Sequence, residues 1–586
     1  MPTSAAPSIL ARRRSVRSAA TIVAVVSLLA AACGPATTDS PTPTVSSPGA
    51  AATASPPSSP GGACTPAQAA VSHDWNERVW YELFVRSFAD GNGDGVGDFR
   101  GLTTRLDYLN DGNPATTSDL GIGGIWLMPI MESPSYHGYD VVDYRKVERD
   151  YGTNADFKAF LAAAHKRGIR VIVDMVLNHT SSQNAWFTDA VAGGPRRDWY
   201  VWATSNPGWP SPVGDGDPWR LASNGQWYYG AFSESMPDLN LRNADATAAV
   251  TEIARFWLTE MGVDGFRLDA ARDLIEDGPQ AQVNTPETLA WLARFKQAVN
   301  AAKPDAMTVG EVWDLSRIAG SYVPRSVDLT FNFGLAEAVG TAVRVEDSSP
   351  LETALNETIA SWPANQDASF LTNHDQERIM SKLGDVAAAK LAAFSLFTEP
   401  GVPFVYYGEE IGMTGRKPDE RIRTPMQWSG DAPAAGFSTG APWEPLAEDW
   451  QTQNVASESA DPTSLLSTYR ELIALRASQP ALRDGTTSVV AGGSHKIAGW
   501  LRTTPAETLL AVLNLDTKPV DEYALSLASG PLCGPTTATL VSTVGGDPAA
   551  TLVGPRVNAA GGFDGYKPMA SLAARSGYLI RLAPAP

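Results

Sequence analysis

Basic residues, cysteines and long apolar runs are all scarce in this 586-residue chain. Lys and Arg number 45 against 64 Asp and Glu, a formal net charge of −19. The first 32 residues hold four of the arginines and no acid, so the remainder is more acidic still. That sign argues against nucleic acid and anionic membrane as partners and favours a neutral substrate. The leading apolar run, Ala19 to Ala32, is too short and too rich in small residues to span a bilayer. Only three cysteines are present, Cys33, Cys64 and Cys533, so at most one disulfide can form within the chain. What remains is 43% hydrophobic and 19% charged, the balance of a soluble globular body, and its length calls for two or three domains.

The amino terminus reads as an export signal over residues 1–32, with Arg12, Arg13, Arg14 and Arg17 ahead of the apolar run. Ala30, Ala31 and Ala32 directly precede Cys33, an arrangement that resembles a bacterial lipoprotein cleavage site. The expected address is therefore the cell surface, with Cys33 lipidated, or simple secretion. Residues 33–63 are almost entirely Ala, Thr, Ser, Pro and Gly beyond that cysteine, with no apolar periodicity from which to build a core, and are expected to act as a tether. Cys64 and Cys533 then form an even pair in an oxidising compartment, where a disulfide between them is expected, two unpaired thiols being the alternative.

From Val79 onward β-type runs alternate with helical patterns, the mark of a parallel sheet. Strands are expected near Val79, Gly124, Ile169, Asp264, Ala306, Val327, Ala368 and Val402, and eight is the closure number of a (β/α)8 barrel. Helices opened by Asn154 and Asn243 and closed by glycine lie between them. The barrel occupies residues 64–179 and 236–484. A Trp-, Gly- and Pro-rich insertion over 180–235 follows the third strand, and so long a loop is usually functional. Its Trp199, Trp202, Trp209, Trp219 and Trp227 carry aromatic faces that suit sugar rings, with one or two expected at a cleft. Residues 485–586 lose the alternation and read as an antiparallel β-sandwich.

Four stretches at strand ends concentrate polar residues: DMVLNHT at 174–180, GFRLDAA at 265–271, GEVW at 310–313 and FLTNHD at 370–375. They supply three carboxylates, Asp269, Glu311 and Asp375. Cleaving a glycosidic bond with retention needs one carboxylic acid to protonate the leaving oxygen and one carboxylate to attack the anomeric carbon. Singly, each of these acids would be a cap or a loop hydrogen-bonder; jointly, at the carboxyl ends of strands four, five and seven, they form a catalytic set. The four stretches and MPDLN at 236–240 resemble the conserved regions of the α-amylase family, glycoside hydrolase family 13, over about Val79 to Trp428. The resemblance implies Asp269 as nucleophile, Glu311 as general acid/base and Asp375 as transition-state stabiliser. It also implies that His137, Tyr139, Asp140, His179, Arg267 and His374 hold the sugar, and it matches the insertion and the last domain to the family's domains B and C.

The loop DGNGDGVGDFRGL from Asp90 places oxygen donors at alternate positions. It resembles a calcium loop with ligands Asp90, Asn92, Asp94, the Val96 carbonyl and Asp98, although it lacks the terminal Glu of an EF-hand. A second calcium at Asn178, as in many relatives, is put in doubt by Arg272 and Asp273, which stand where Lys-His is usual. By the same resemblance, Ala270, in place of Val, together with MPDLN and His137, favours cleavage of internal α-1,4 bonds in an α-glucan; a monomer is expected. The alternatives are an exo-acting α-glucosidase or oligo-1,6-glucosidase, a neopullulanase or cyclomaltodextrinase, a glucanotransferase and, last, a noncatalytic carbohydrate-binding surface protein.

Overall fold

All eight expected strands form and close into one parallel barrel. The structure, a computed structural model, describes Ala70 and residues 72–585 apart from Asp215. The export segment, the tether, Cys33 and Cys64 therefore lie outside the described residues; Cys533 is disulfide-bonded. The barrel strands are β1 (Trp80–Leu83), β2 (Gly124–Leu127), β3 (Arg170–Met175), β4 (Gly265–Leu268), β5 (Met307–Gly310), β6 (Leu329–Phe331), β7 (Asp367–Phe370) and β8 (Val402–Tyr406). They pair in chain order, and β8 closes on β1 with Trp80 opposite Phe404.

Because both faces of such a strand are covered, the strands read as near-continuous apolar runs without alternation. Trp80, Trp126, Ile172, Met307, Val309, Phe331, Phe370 and Phe404 fill the barrel axis, which makes it a packed core and not a pore. Gly265 permits β4 to lie close to β5. Its φ is +148°, and a Cβ there would stand 2.0 Å from the Met307 carbonyl oxygen.

The helix α1 (Asn154–Lys166) is opened not by Asn154 but by Thr153, whose hydroxyl accepts from the Asp156 N–H while the Asp156 carboxylate accepts from the Thr153 N–H. Two reciprocal bonds outweigh the single one an Asn offers. The helix α2 (Ala244–Phe256) is capped by Asn243 as expected, and a π-helical turn, Trp257–Met261, carries it to Gly262 at φ +94°. Among the described residues no helix is long and apolar enough to cross a membrane.

The insertion after β3 folds around a three-stranded antiparallel sheet of Trp202–Ala203, Trp219–Leu221 and Trp227–Tyr229. Its tryptophans pack that small body: Trp202 stacks on Phe187, Trp199 meets Trp186, and Trp209 and Trp219 meet Tyr229. At the carboxyl end, β9 (Thr486–Val490), β10 (Ile497–Thr503), β11 (Thr508–Asn514), β12 (Thr536–Val544) and β13 (Ser576–Pro584) form an antiparallel sheet ordered β9-β10-β11-β13-β12. A two-stranded sheet, Leu525–Leu527 with Phe563–Tyr566, shares its apolar core with Ile497, Leu510, Val512 and Ile580, completing the expected sandwich.

Candidate active site

Parallel register brings the carboxylates together. Leu268 of β4 pairs with Gly310 of β5, and Asp174 of β3 pairs with Arg267 of β4. The next residues beyond Leu268 and Gly310 are Asp269 and Glu311, which makes them cross-strand neighbours on strands spaced about 4.8 Å apart. The ladder continues past the strand ends, with Glu311 N–H donating to Leu268 O at 3.0 Å and Ala271 N–H to Glu311 O at 3.1 Å.

Arg267 lies beneath all of them, 1% exposed. Its Nη1 donates to Asp174 Oδ1 at 2.9 Å and to Asp269 Oδ1 at 2.6 Å, and its Nη2 stands 2.9 Å from Glu311 Oε2. The Trp126 ring packs over the guanidinium, 5.2 Å away. Ala270 adopts φ +46°, and its N–H points at Glu311 Oε2, 3.0 Å away. A branched residue is disfavoured at such a φ, so a small side chain after Asp269 suits the turn that aims this donor.

The opposite wall is built on His374, which is fully buried. Its Nδ1 meets Glu82 Oε1 at 2.5 Å and its Nε2 meets the Tyr139 hydroxyl at 2.6 Å and Asp375 Oδ2 at 3.2 Å. Burial pushes the Glu82 carboxyl well up and the His374 imidazolium well down. Arg423, 3% exposed, donates from Nη2 to Asp375 Oδ1 at 2.9 Å and from Nε to the His374 carbonyl at 2.9 Å.

A cavity of about 750 Å³ opens over these groups, lined by Asp269, Glu311, Asp375, His137, Tyr139 and His179 among others. Arg267, His374 and Asp140 are not on its wall but behind it. Asp140 accepts from the Ser133 and Ser135 hydroxyls and so braces the loop that carries His137 and Tyr139. None of the six tryptophans of the insertion reaches the cavity; Val213, Phe232 and Ser233 do instead, because the rings are consumed in packing the small body. Residues that sequence reasoning did not single out for the site are Glu82, Asp174, Arg423, Lys417, Asp419 and Phe232, together with Trp313, Arg272 and Asp273. Trp313, two residues beyond Glu311, was within reach of the motif. Asp419 opens and Arg423 caps a one-turn helix, Asp419–Ile422, too short to show a periodic pattern, in the long segment after β8.

Electrostatics separates the three acids. Burial raises Glu311 to about 7, with Asp269 and Asp375 adding to the shift and Arg267 opposing it. Burial also raises Asp269, against the pull of its Arg267 hydrogen bond. Burial works against Asp375 too, but His374, Arg423 and Arg267 outweigh it and hold this carboxyl below the usual range. Imidazole nitrogen Nε2 of His179, a residue of the cavity lining, is buried without a partner among the described residues, and burial lowers that ring to about 4.

The expected calcium loop is a series of Asx turns. Asp90 Oδ1 accepts from the N–H groups of Asn92 and Gly93, its Oδ2 accepts from Gly95 N–H and the Ser438 hydroxyl, and Asp98 accepts from Gly91 and Gly101 N–H. Asn92 and Asp94 accept in turn from the N–H groups of Asp94 and Val96. The oxygen donors suit a hard cation. Among the described residues, however, no three His, Cys, Asp or Glu side chains converge as a metal cluster, so the Asn92 amide and the Val96 carbonyl would have to complete any set.

Comparison with known proteins agrees with this geometry. The family model "Alpha amylase, catalytic domain" matches residues 82–485. Alpha-amylase 3 of Dictyoglomus thermophilum is 36% identical over 463 residues, 76% of this chain and 87% of that protein. An oligo-1,6-glucosidase of Parageobacillus thermoglucosidasius is 32% identical over 521 residues, 76% of this chain and 91% of that protein. The crystal structure of an alpha-amylase from H. orenii superposes with a TM-score of 0.75 at 37% identity, covering 86% of this chain and 99% of that one. With a family match across the whole barrel, and with Asp269, Glu311 and Asp375 gathered at its carboxyl end, this chain belongs to the α-amylase family and is an α-amylase-type glycosidase.

Proposed function

We propose that the protein hydrolyses internal α-1,4-glucosidic bonds of α-glucans with retention, through a covalent glycosyl-Asp269 intermediate. The observation that carries the retaining mechanism is the pairing of Asp269 and Glu311 on adjacent strands, both bound to one guanidinium. Retaining enzymes hold their two carboxyls about 5 to 5.5 Å apart, against about 6.5 to 9.5 Å in inverting ones. Glu311, protonated near neutrality, gives its proton to the glycosidic oxygen as an Asp269 oxygen bonds to the anomeric carbon and the C–O bond breaks. Glu311, now a carboxylate, takes a proton from water, which attacks the anomeric carbon and frees Asp269. Asp375, held ionised, stabilises the positive charge that develops on the ring. His137, Tyr139 and His179 on the wall hold the sugar; Arg267, His374 and Asp140 act through the groups in front of them.

The preference for α-1,4 bonds rests on Ala270, on MPDLN and on the likeness to alpha-amylases. The likeness to an oligo-1,6-glucosidase keeps exo-action on short substrates as the second reading. A time course of products from soluble starch decides between them. Mixed α-configured oligosaccharides at early times are expected; glucose alone, released mainly from short substrates, would move the assignment to an α-glucosidase.

Because the general acid must carry its proton, kcat/KM is expected to fall as pH rises through about 7. In Glu311→Gln this basic limb is expected to vanish and kcat to drop by about 10² to 10⁴. A limb at the same pH in the variant would remove Glu311 from the role.

Calcium is proposed as a structural ion at the Asp90–Asp98 loop. The support is its three carboxylates, none of which forms an ion pair with Lys or Arg among the described residues. Exhaustive chelation is expected to lower the melting temperature and added calcium to restore it; an unchanged melting temperature would eliminate the ion.

The protein is proposed to act outside the cell, anchored through Cys33, an address that fits a polymer too large to import. Cys33→Ser is expected to move activity from the membrane fraction to the medium. Equal partition of variant and wild type would leave secretion without an anchor.

A further inference from the structure

A carboxyl inside the barrel, behind the reacting groups, has no part in the mechanism above. Side chains alternate along β1, so Glu82 points the same way as Trp80, into the packed interior and not toward the helices. It is 2% exposed, between its register partners Trp126 of β2 and Tyr406 of β8. A carboxyl so deep among aromatic rings costs stability unless it is hydrogen-bonded. Its Oε1 is met twice by one residue, by His374 Nδ1 at 2.5 Å and by the His374 N–H at 3.3 Å.

Packing alone already orients the His374 ring. Tyr139 stacks on it at 5.7 Å and 15°, and Trp126 meets it nearly at right angles, at 5.6 Å and 78°. What Glu82 adds is the placement of hydrogens, since the partner of one imidazole nitrogen decides what the other can do. Nε2 faces Asp375 Oδ2 at 3.2 Å and the Tyr139 hydroxyl at 2.6 Å. Asp375, held below the usual carboxyl range, offers only lone pairs. The Tyr139 O–H has its own acceptor in Asp174 Oδ2 at 3.3 Å, so a bare Nε2 would face acceptors on both sides. One hydrogen on Nε2 and one between Nδ1 and Glu82 Oε1 satisfy every contact. Glutamate and imidazole together then carry no net charge, whichever of them holds the shared hydrogen.

We propose that Glu82 is a positioning residue for the reaction: by sharing one hydrogen with His374 Nδ1 it commits His374 Nε2 to donate to Asp375, which keeps that carboxylate ionised and aimed at the sugar. This rests on the glycosidase reading above and adds to it a residue that touches no substrate and acts through the imidazole. In Glu82→Leu, Nδ1 loses its partner and the hydrogen of the ring is free to sit on either nitrogen. Glu82→Gln keeps half of the arrangement, because an amide nitrogen can give a hydrogen to Nδ1 but cannot also accept the His374 N–H.

The first measurement needs no variant of Glu82 to fold. NMR at neutral pH of the wild type, with nitrogen-15 in its six histidines and the His374 signals identified by their loss in His374→Gln, reads which ring nitrogen bears hydrogen. Nε2 is expected to show the shift of a hydrogen-bearing nitrogen, and the shift of a bare nitrogen there overturns the proposal. The second measurement is kcat and KM on maltotetraose. In Glu82→Leu, kcat is expected to fall about tenfold to a hundredfold, the worth of one hydrogen bond to a charged group. KM is expected to change little, because Asp375 acts on charge that develops only in the transition state. Glu82→Gln is expected to fall by less, with its Nε2 signal moved part of the way toward that of a bare nitrogen, and it carries the kinetic test should Glu82→Leu not fold. A kcat equal to that of the wild type in Glu82→Leu, a loss confined to KM, or an unchanged kcat and His374 signal in Glu82→Gln overturns the proposal. No cleavage of maltotetraose by the wild type would overturn the glycosidase reading and this proposal with it, whereas cleavage with a bare Nε2 overturns this proposal alone.

Discussion

A single buried guanidinium organises the site. Arg267 is sealed under Trp126 and shared among Asp174, Asp269 and Glu311. Desolvating a cation costs several kcal/mol, and the cost is offset only where geometry and hydrogen bonding are good. Here the parallel register supplies that geometry, since Asp174 and Arg267 are paired residues and Asp269 follows two places on along the same face. Burial raises the Glu311 carboxyl to about 7, and the neighbouring acids Asp269 and Asp375 add to the shift against the one arginine.

The rest of the molecule fixes or surrounds this arrangement. The aromatic filling of the barrel axis holds the strands in register, and Gly265 lets β4 and β5 approach without a Cβ between them. Glu82, His374 and Arg423 set the opposite carboxylate, Asp375, through a chain of buried hydrogen bonds. The insertion after β3 contributes Val213, Phe232 and Ser233 to the cavity, and its tryptophans give that short segment a core of its own.

How much of this is legible in the sequence depends on whether the signal is local. The eight strands are, because a strand covered on both faces must be apolar throughout. The three carboxylates are as well, because each ends such a strand. Residues acting from behind the wall are harder to see: Glu82 lies inside an apolar run where a lone acid reads as an interruption, Asp174 opens the stretch DMVLNHT without a role of its own in the sequence, and Arg423 comes from a segment without period. That His137, Tyr139 and His179 line the cavity while Arg267, His374 and Asp140 lie behind its wall is visible only in three-dimensional placement. The choice of Thr153 over Asn154 as a helix cap turns on a reciprocal bond with Asp156 that a search for the first Asn does not look for.

The central claim, that Asp269 attacks the anomeric carbon while Glu311 serves as acid and base, is tested most directly by trapping the intermediate. Glu311→Gln would be treated with an activated α-maltosyl fluoride, whose departure needs no acid, and the digest analysed by mass spectrometry. The account predicts one added glycosyl mass on the peptide containing Asp269, because water attack then lacks its base. A glycosyl group on any other residue, or turnover to an inverted product with no adduct, would contradict it.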